Sequence, residues 1–330
     1  MSGYFSDYEN SVNGLTKAVV EFKRPSTRRQ NRSSQSHLYF WILAAVFCLA
    51  FWVPLRNAIT FSLTHDYASH MLLIVPLSVF LVYLKRQQIF SVQVDSTRKK
   101  STIAGSALFL LGFFFSLASK YGPLTAEKLS LEILALVITW ISGFVFCYGT
   151  GSFMKALFPL IFLFLVVPFP EFVIDRVIFA LQVGSSDVAY GLLRILNVPV
   201  LKEGFILRLP MVNLEVAAEC SGIRSSIALL VTVLVGAELG LRSSWRKVLL
   251  VLAIIPLLVI KNGVRIVTIY LLAAYLNPAF LHGWLHTSGG VVFYLLGLMA
   301  LFPLGALLRR LERKDVNLPI VHEFAHVTSG

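Results

Sequence analysis

Three side chains far apart in the chain have the types that acyl-transfer chemistry needs: Cys220, Arg265 and His286. Cys220 stands in Ala217-Ala-Glu-Cys-Ser-Gly-Ile-Arg224, immediately before a long apolar run. With Ser221 as the expected N-cap, the cysteine lies at a helix N-terminus, whose dipole favours thiolate over thiol. Only the thiolate is a good nucleophile. Arg265 closes Lys261-Asn-Gly-Val-Arg265 and brings a fixed cation with a rigid donor fork. Such a group can orient a substrate carbonyl or carboxylate, or stabilise an oxyanion. His286, in His282-Gly-Trp-Leu-His-Thr-Ser-Gly-Gly290, is the residue type that exchanges protons with a cysteine nucleophile and a leaving amine. On spacing alone each also has a plainer reading. The cysteine is then a small residue tolerated at a span end, the arginine snorkels to headgroups, and the histidine joins Trp284 in an interfacial belt.

Supporting candidates surround this trio. Arg224, one turn after Cys220, either shares the role of Arg265 or pairs with Glu219 or Glu215. His70 and Asp66 are candidates to bind substrate or to orient His286. Lys261 reads as a snorkelling lysine and His282 as an interface residue. The chain has three cysteines, and Cys48 and Cys147 sit inside apolar runs as small hydrophobes. That set forms neither a disulfide framework nor a zinc site, and no cofactor or metal is expected. The run His322-Glu-Phe-Ala-His326 superficially approaches the metalloprotease helix signature, but it is read as departing from it in spacing and as solvated cytoplasmic tail after the last apolar run.

The elements that must position these groups follow from composition. Hydrophobic residues make up 57% of the chain and charged residues 14%, and the mean hydropathy is +0.76. Apolar runs of about 20 residues match the thickness of a bilayer, and a backbone in hydrocarbon must satisfy its own hydrogen bonds. The expectation is therefore an all-α, polytopic transmembrane bundle. About eight spans are expected: 38–55, 71–84, 102–118, 129–148, 156–169, 222–241, 248–264 and 290–308. Residues 1–37 form a basic cytoplasmic arm rather than a signal peptide, 38–308 the membrane domain and 309–330 a cytoplasmic tail. The net charge of +12 gathers in that arm, around Lys85–Lys100, at Lys155, at Arg242–Lys247 and after Leu308. All five groups fall on one side if both termini are inside, so they read as topology determinants and contacts for anionic lipid, not as a nucleic-acid surface.

Two further expectations concern the outer face. Residues 170–219 form an extracytoplasmic cap: an interfacial helix over Glu171–Asn197, then two short strands around Pro210. Counting from Lys247, 18 residues of helix rise about 27 Å, which puts Arg265 at the outer boundary. A helix running on through Tyr275 would exceed the bilayer, so a break is expected near Asn262-Gly263.

The stretches that carry the three candidates resemble the signature of the exosortase and archaeosortase family. Cys220-Ser-Gly-Ile-Arg224, Asn262-Gly-Val-Arg265 and His286 at the head of the last span occur here in that family's order. The Val198-Pro-Val-Leu-Lys-Glu-Gly204 run and Tyr67-Ala-Ser-His70 are also similar, with Met71 where family members often have glycine. The resemblance covers roughly residues 60–308. It implies an outward-facing site in the inner membrane, with Cys220 as nucleophile and Arg265 and His286 as catalytic partners. It further implies that the substrates are exported proteins ending in a short motif such as Pro-Glu-Pro, a transmembrane helix and a basic tail. The cut end would pass to water or to a polysaccharide or lipid acceptor. The competing reading is a non-catalytic transporter or scaffold of polysaccharide or protein export, for which charged groups at mid-membrane would speak.

Overall fold

The computed structural model describes residues 27–91, 98–121, 127–210, 212–216, 222–281 and 290–317. Twelve helices are described. They are α1 (Thr27–Ala50), α2 (Trp52–Thr64), α3 (Met71–Leu84), α4 (Arg86–Phe90), α5 (Arg98–Tyr121), α6 (Lys128–Lys155), α7 (Leu157–Phe162) and α8 (Glu171–Ile195), then α9 (Ile223–Gly240), α10 (Ser244–Leu252), α11 (Ile254–Tyr275) and α12 (Gly290–Asn317). Between α8 and α9 come three strands, β1 (Leu201–Glu203), β2 (Ile206–Arg208) and β3 (Asn213–Glu215).

Five helical stretches are long and apolar enough to cross a membrane: Lys99–Tyr121, Lys128–Lys155, Ile223–Gly240, Ser244–Tyr275 and Gly290–Arg313. Two sharply bent pairs, Gln35–Ala50 with Trp52–Thr64 and Leu157–Val166 with Glu171–Ile195, raise the number to seven if each is one span. Every one of the eight expected runs contains helix, but Met71–Leu84 is only 14 residues long. Large apolar side chains face outward, among them Phe114, Met299 and Phe302, the last 75% exposed. In water such a surface would be costly, and against lipid it is neutral. The chain is a multi-pass helical membrane protein.

The chain divides into two compact units. The first comprises the residues up to Arg56 and Pro76–Phe164. Its centre is α6, flanked by α5, where Ser142 Oγ donates to the Gly105 carbonyl at 2.9 Å. On α1, His37 Nδ1 lies 2.8 Å from the Tyr148 hydroxyl, within a cluster that includes Phe40, Phe90 and Phe144. These polar bonds satisfy groups that lipid would leave unpaired.

The second unit comprises Asn57–Val75 and Leu165–Gly330 and contains every candidate site residue. Its sheet has the order β1-β2-β3, antiparallel throughout, with Lys202 opposite Leu207 and Leu207 opposite Leu214. The strand β1 was not expected; it extends the two short strands foreseen around Pro210. Leu207 alternates inward between exposed Ile206 and Arg208, so the sheet has one buried face. That face joins Ala189 and Leu193 of α8 and Ile266, Val267 and Tyr270 of α11 in one apolar core. A second core gathers Leu229 and Val233 of α9, Leu250 of α10, Ile254 of α11 and Leu301 and Leu308 of α12. The helix α11 therefore serves both cores, one with each of its ends.

One expectation about α11 is corrected. The helix is continuous through Asn262-Gly263, and the interruption falls at Ala253, between α10 and α11. Gly263 does not break the helix; it lets another helix approach. A Cβ added there would stand 2.5 Å from Val188 Cγ1 and 3.3 Å from the backbone nitrogen of Ala189 on α8. Gly263→Ala should therefore destabilise the fold by roughly 1–3 kcal/mol, because neither helix backbone has room to give. Heating detergent-solubilised protein and following the loss of the monodisperse peak measures it, and an unchanged midpoint would refute the close packing.

Candidate active site

The site is built where the first turn of α9 meets the middle of α11 and the beginning of α12. Gly222 precedes α9 with φ +73, a left-handed conformation that a side chain strains. It is also crowded, since a Cβ at that position would lie 2.8 Å from Asn262 Oδ1. Only glycine meets both conditions. The N-cap is therefore Gly222, where Ser221 had been expected. The Gly222 carbonyl accepts three bonds, from Ser226 N at 2.9 Å, Ser226 Oγ at 2.8 Å and Ser225 Oγ at 3.0 Å. They fix the orientation of the turn that follows Cys220 in the chain.

The helix α11 carries three buried polar side chains, of which Lys261 and Asn262 meet this turn. Lys261, Asn262 and Arg265 are 5%, 1% and 8% exposed in a helix that is otherwise apolar. Lys261 Nζ donates to Ser225 Oγ, and Asn262 Nδ2 donates to Ser185 Oγ of α8 at 3.0 Å. The reading of Lys261 as a snorkelling residue is thus corrected: its ammonium is held inside the unit. Arg265 is one turn further along the same helix, buried, where a guanidinium must have partners to repay its desolvation. The start of α12 completes the junction. A methyl built on Gly290 would lie 3.9 Å from Ser225 Cβ, and one built on Gly297 would lie 3.5 Å from Lys261 Cδ.

Cys220, Glu219 and His286 lie outside the described residues. The described neighbours of their segments come close: a Cβ on Gly222, two residues after Cys220, would collide with Asn262, and one on Gly290, four residues after His286, would reach van der Waals distance of Ser225. Arg224 is exposed on the first turn of α9. Asp66 belongs to a 3₁₀ turn, Asp66–Ala68, that packs on α9. His70 follows it, half-buried, with Nδ1 3.0 Å from the Tyr67 carbonyl. Burial holds the His70 imidazole below its usual pKa, against the backbone carbonyls of Tyr67 and Leu165, which favour the charged form. The phenol of Tyr67 is pushed up by burial first and then by Glu171 and Asp175. The run His322-Glu-Phe-Ala-His326 does carry the full His-Glu-x-x-His spacing, so only its place after α12 separates it from a zinc-protease helix. It too lies outside the described residues.

Lys261, Asn262, Ser225 and Ser185 as one polar network were missed by the sequence reading. The available signal was two adjacent polar residues inside an apolar helix, which must find partners within the protein.

The family model of the transmembrane exosortases (Exosortase_EpsH) matches residues 57–303. The chain belongs to the transmembrane exosortase family. No curated protein and no solved structure matches it. The matched stretch begins at the first residue of the second unit, in α2, and ends within α12. It takes in all three candidates for the chemistry of this exosortase, Cys220, Arg265 and His286.

Proposed function

We propose that this exosortase is a cysteine endopeptidase or transpeptidase that cuts C-terminal sorting signals from exported proteins at the outer face of the inner membrane. The observation that carries the reading is the meeting of three chain segments at one junction: the turn after Cys220, the Lys261–Arg265 stretch and the start of α12 after His286.

The chemistry follows from the residue types. The Cys220 thiolate attacks the scissile carbonyl carbon, and the oxyanion that forms is stabilised by the Arg265 guanidinium. The carbon–nitrogen bond breaks as His286 delivers a proton to the departing amine, leaving a thioester on Cys220. His286 then takes a proton from water or from an acceptor nucleophile as that nucleophile attacks the thioester. Cys220 leaves as thiolate. Arg224, Asp66, His70 and Glu219 are placed around the substrate in this scheme, and both chain termini are cytoplasmic.

The buried Lys261 and Arg265 are what a transporter or scaffold would also display. The contacts of Lys261 with the first turn of α9 and the early part of α12 support the enzyme reading, while its place midway along Ser244–Tyr275 is what a transporter would show.

The test is to co-express the chain with an exported reporter ending in Pro-Glu-Pro, a transmembrane helix and a basic tail, and to weigh the reporter's C-terminus. Truncation at the motif only in cells that make the chain is the expected result. A full-length reporter across a panel of motifs, with the chain present in the membrane, would overturn the proposal and leave the transporter or scaffold reading.

A further inference from the structure

We propose that the open edge of β3 binds the substrate's sorting segment as an added strand, laid along Asn213–Glu215. The inference rests on the sorting-signal reading and deepens it, by assigning the place where the signal is held and the backbone shape it takes there.

The pairing within the sheet decides which backbone groups are already used. Val216 N donates to the Phe205 carbonyl at 2.9 Å, and Leu209 N donates to the Val212 carbonyl at 3.3 Å. Leu214 lies opposite Leu207 in the same register. Antiparallel strands alternate residues that bond the partner with residues that face away from it. Val212, Leu214 and Val216 are therefore turned toward β2, and Asn213 and Glu215 are turned to the other side. The sheet ends there, because its order is β1-β2-β3. Asn213 and Glu215 are both exposed, and no hydrogen bond to the backbone of either is found among the described residues. Two N–H and two C=O groups at strand spacing are what an extended peptide pairs with when it adds to a sheet.

The two edges of the sheet differ. On β1 the residue that faces away from β2 is Lys202, whose ammonium is paired with Asp187 of α8. A charged strand tied to a neighbouring helix discourages further pairing. The strand β3 has neither lysine nor proline. Its end is nevertheless held in place, since Gln182 Nε2 of α8 donates to the Val216 carbonyl at 2.8 Å. A fixed strand with an unguarded edge is a template rather than a loose end.

Position and chemistry select the occupant. Glu215 stands five residues before Cys220, at most about 18 Å of extended chain. A signal seated on β3 is thus held within reach of the segment that carries the nucleophile. An added strand bonds β3 through every second residue, and the residues between face solvent. Proline lacks the N–H, so it is excluded from the first set and accepted in the second. A Pro-Glu-Pro signal meets that rule with its glutamate turned to β3 and both prolines turned outward. There the prolines also stop a further strand from adding.

The experiment reads binding without any cleavage. Full-length chain carrying Cys220→Ala, with the photo-reactive amino acid p-benzoylphenylalanine in place of Asn213, is co-expressed with the sorting-signal reporter and irradiated in the membrane. A crosslink to the reporter's motif is expected. Glu215→Pro should cut its yield about tenfold below Glu215→Ala, because the proline ring removes the outward N–H and stands where the added strand would lie. Equal yields from those two variants overturn the proposal, as does a crosslink to a second copy of the chain, or none at all. Should Glu215→Pro fail to reach the membrane, Asn213→Pro against Asn213→Ala decides on the same terms, with the photo-reactive residue in place of Glu215. The processing assay with Cys220 restored separates the two ideas. A cut reporter with equal crosslink yields sinks only the role of the edge, and a proline-sensitive crosslink to a reporter that is never cut sinks only the sorting-signal activity.

Discussion

Cys220→Ala and Cys220→Ser each leave the sorting-signal reporter uncut, with processing reduced by about 10³-fold or more at matched membrane levels. The alanine variant has no nucleophile. The serine variant keeps the size and a hydrogen-bonding atom, so it preserves whatever packing the cysteine provides. Its hydroxyl ionises several pH units above a thiol, however, and a site that works by stabilising a thiolate gives it little help. The pair therefore separates chemistry from architecture. Gly222, Ser225 and Ser226 hold the following turn by bonds that neither substitution touches, so both variants should fold. Equal processing by wild type and Cys220→Ser would show that the bond is cut by some other group, and the thioester mechanism would be abandoned.

Arg265→Gln should lower processing by about 10²–10³-fold, the range seen when a donor to a developing oxyanion is removed. Glutamine keeps a planar donor but loses the charge, and it is too short to reach where the guanidinium reached. Arg265→Lys retains the charge without the fork and should recover part of the rate. Because Arg265 is only 8% exposed, Arg265→Gln also leaves its present partners without their donor. The thermal midpoint must accordingly be measured beside the rate. A loss of rate at unchanged midpoint supports a role in the reaction, while a full rate in Arg265→Gln would confine the residue to the fold.

Much of this architecture was written in the pattern of apolar runs, because a helix in lipid is specified by length and hydropathy with little help from its neighbours. Each of the eight runs contains helix for that reason. What pattern could not convey was how residues pair across helices. Asn262-Gly263 looked like a break, since a helix running on through Tyr275 is longer than the bilayer is thick. Inside the unit the same two residues are what the helix needs: the asparagine bonds Ser185, and the glycine admits Val188. Lys261 looked like a snorkelling side chain because nothing in the sequence names Ser225 as its partner, 36 positions away. The strand β1 escaped notice for a local reason: Lys202 and Glu203 stand side by side between Pro199 and Gly204 and offer no apolar alternation. Cys220 and His286, by contrast, were legible only through the motifs around them, and the described structure adds where their flanking segments go.

The two apolar cores served by the two ends of α11 are joined across a band of specific polar bonds, and that has a consequence for how the protein meets membranes of different thickness. Apolar helix faces tolerate axial slip, because one greasy contact replaces another at little cost. The Lys261–Ser225 and Asn262–Ser185 bonds do not, since a shift of a single residue along the axis would leave buried polar groups unsatisfied. Hydrophobic mismatch should therefore be taken up by tilting of the bundle or by deformation of the surrounding lipid. The registry of α8, α9 and α11 at the junction would stay constant as the bilayer thins or thickens, so the depth of the junction follows the bundle and not the lipid.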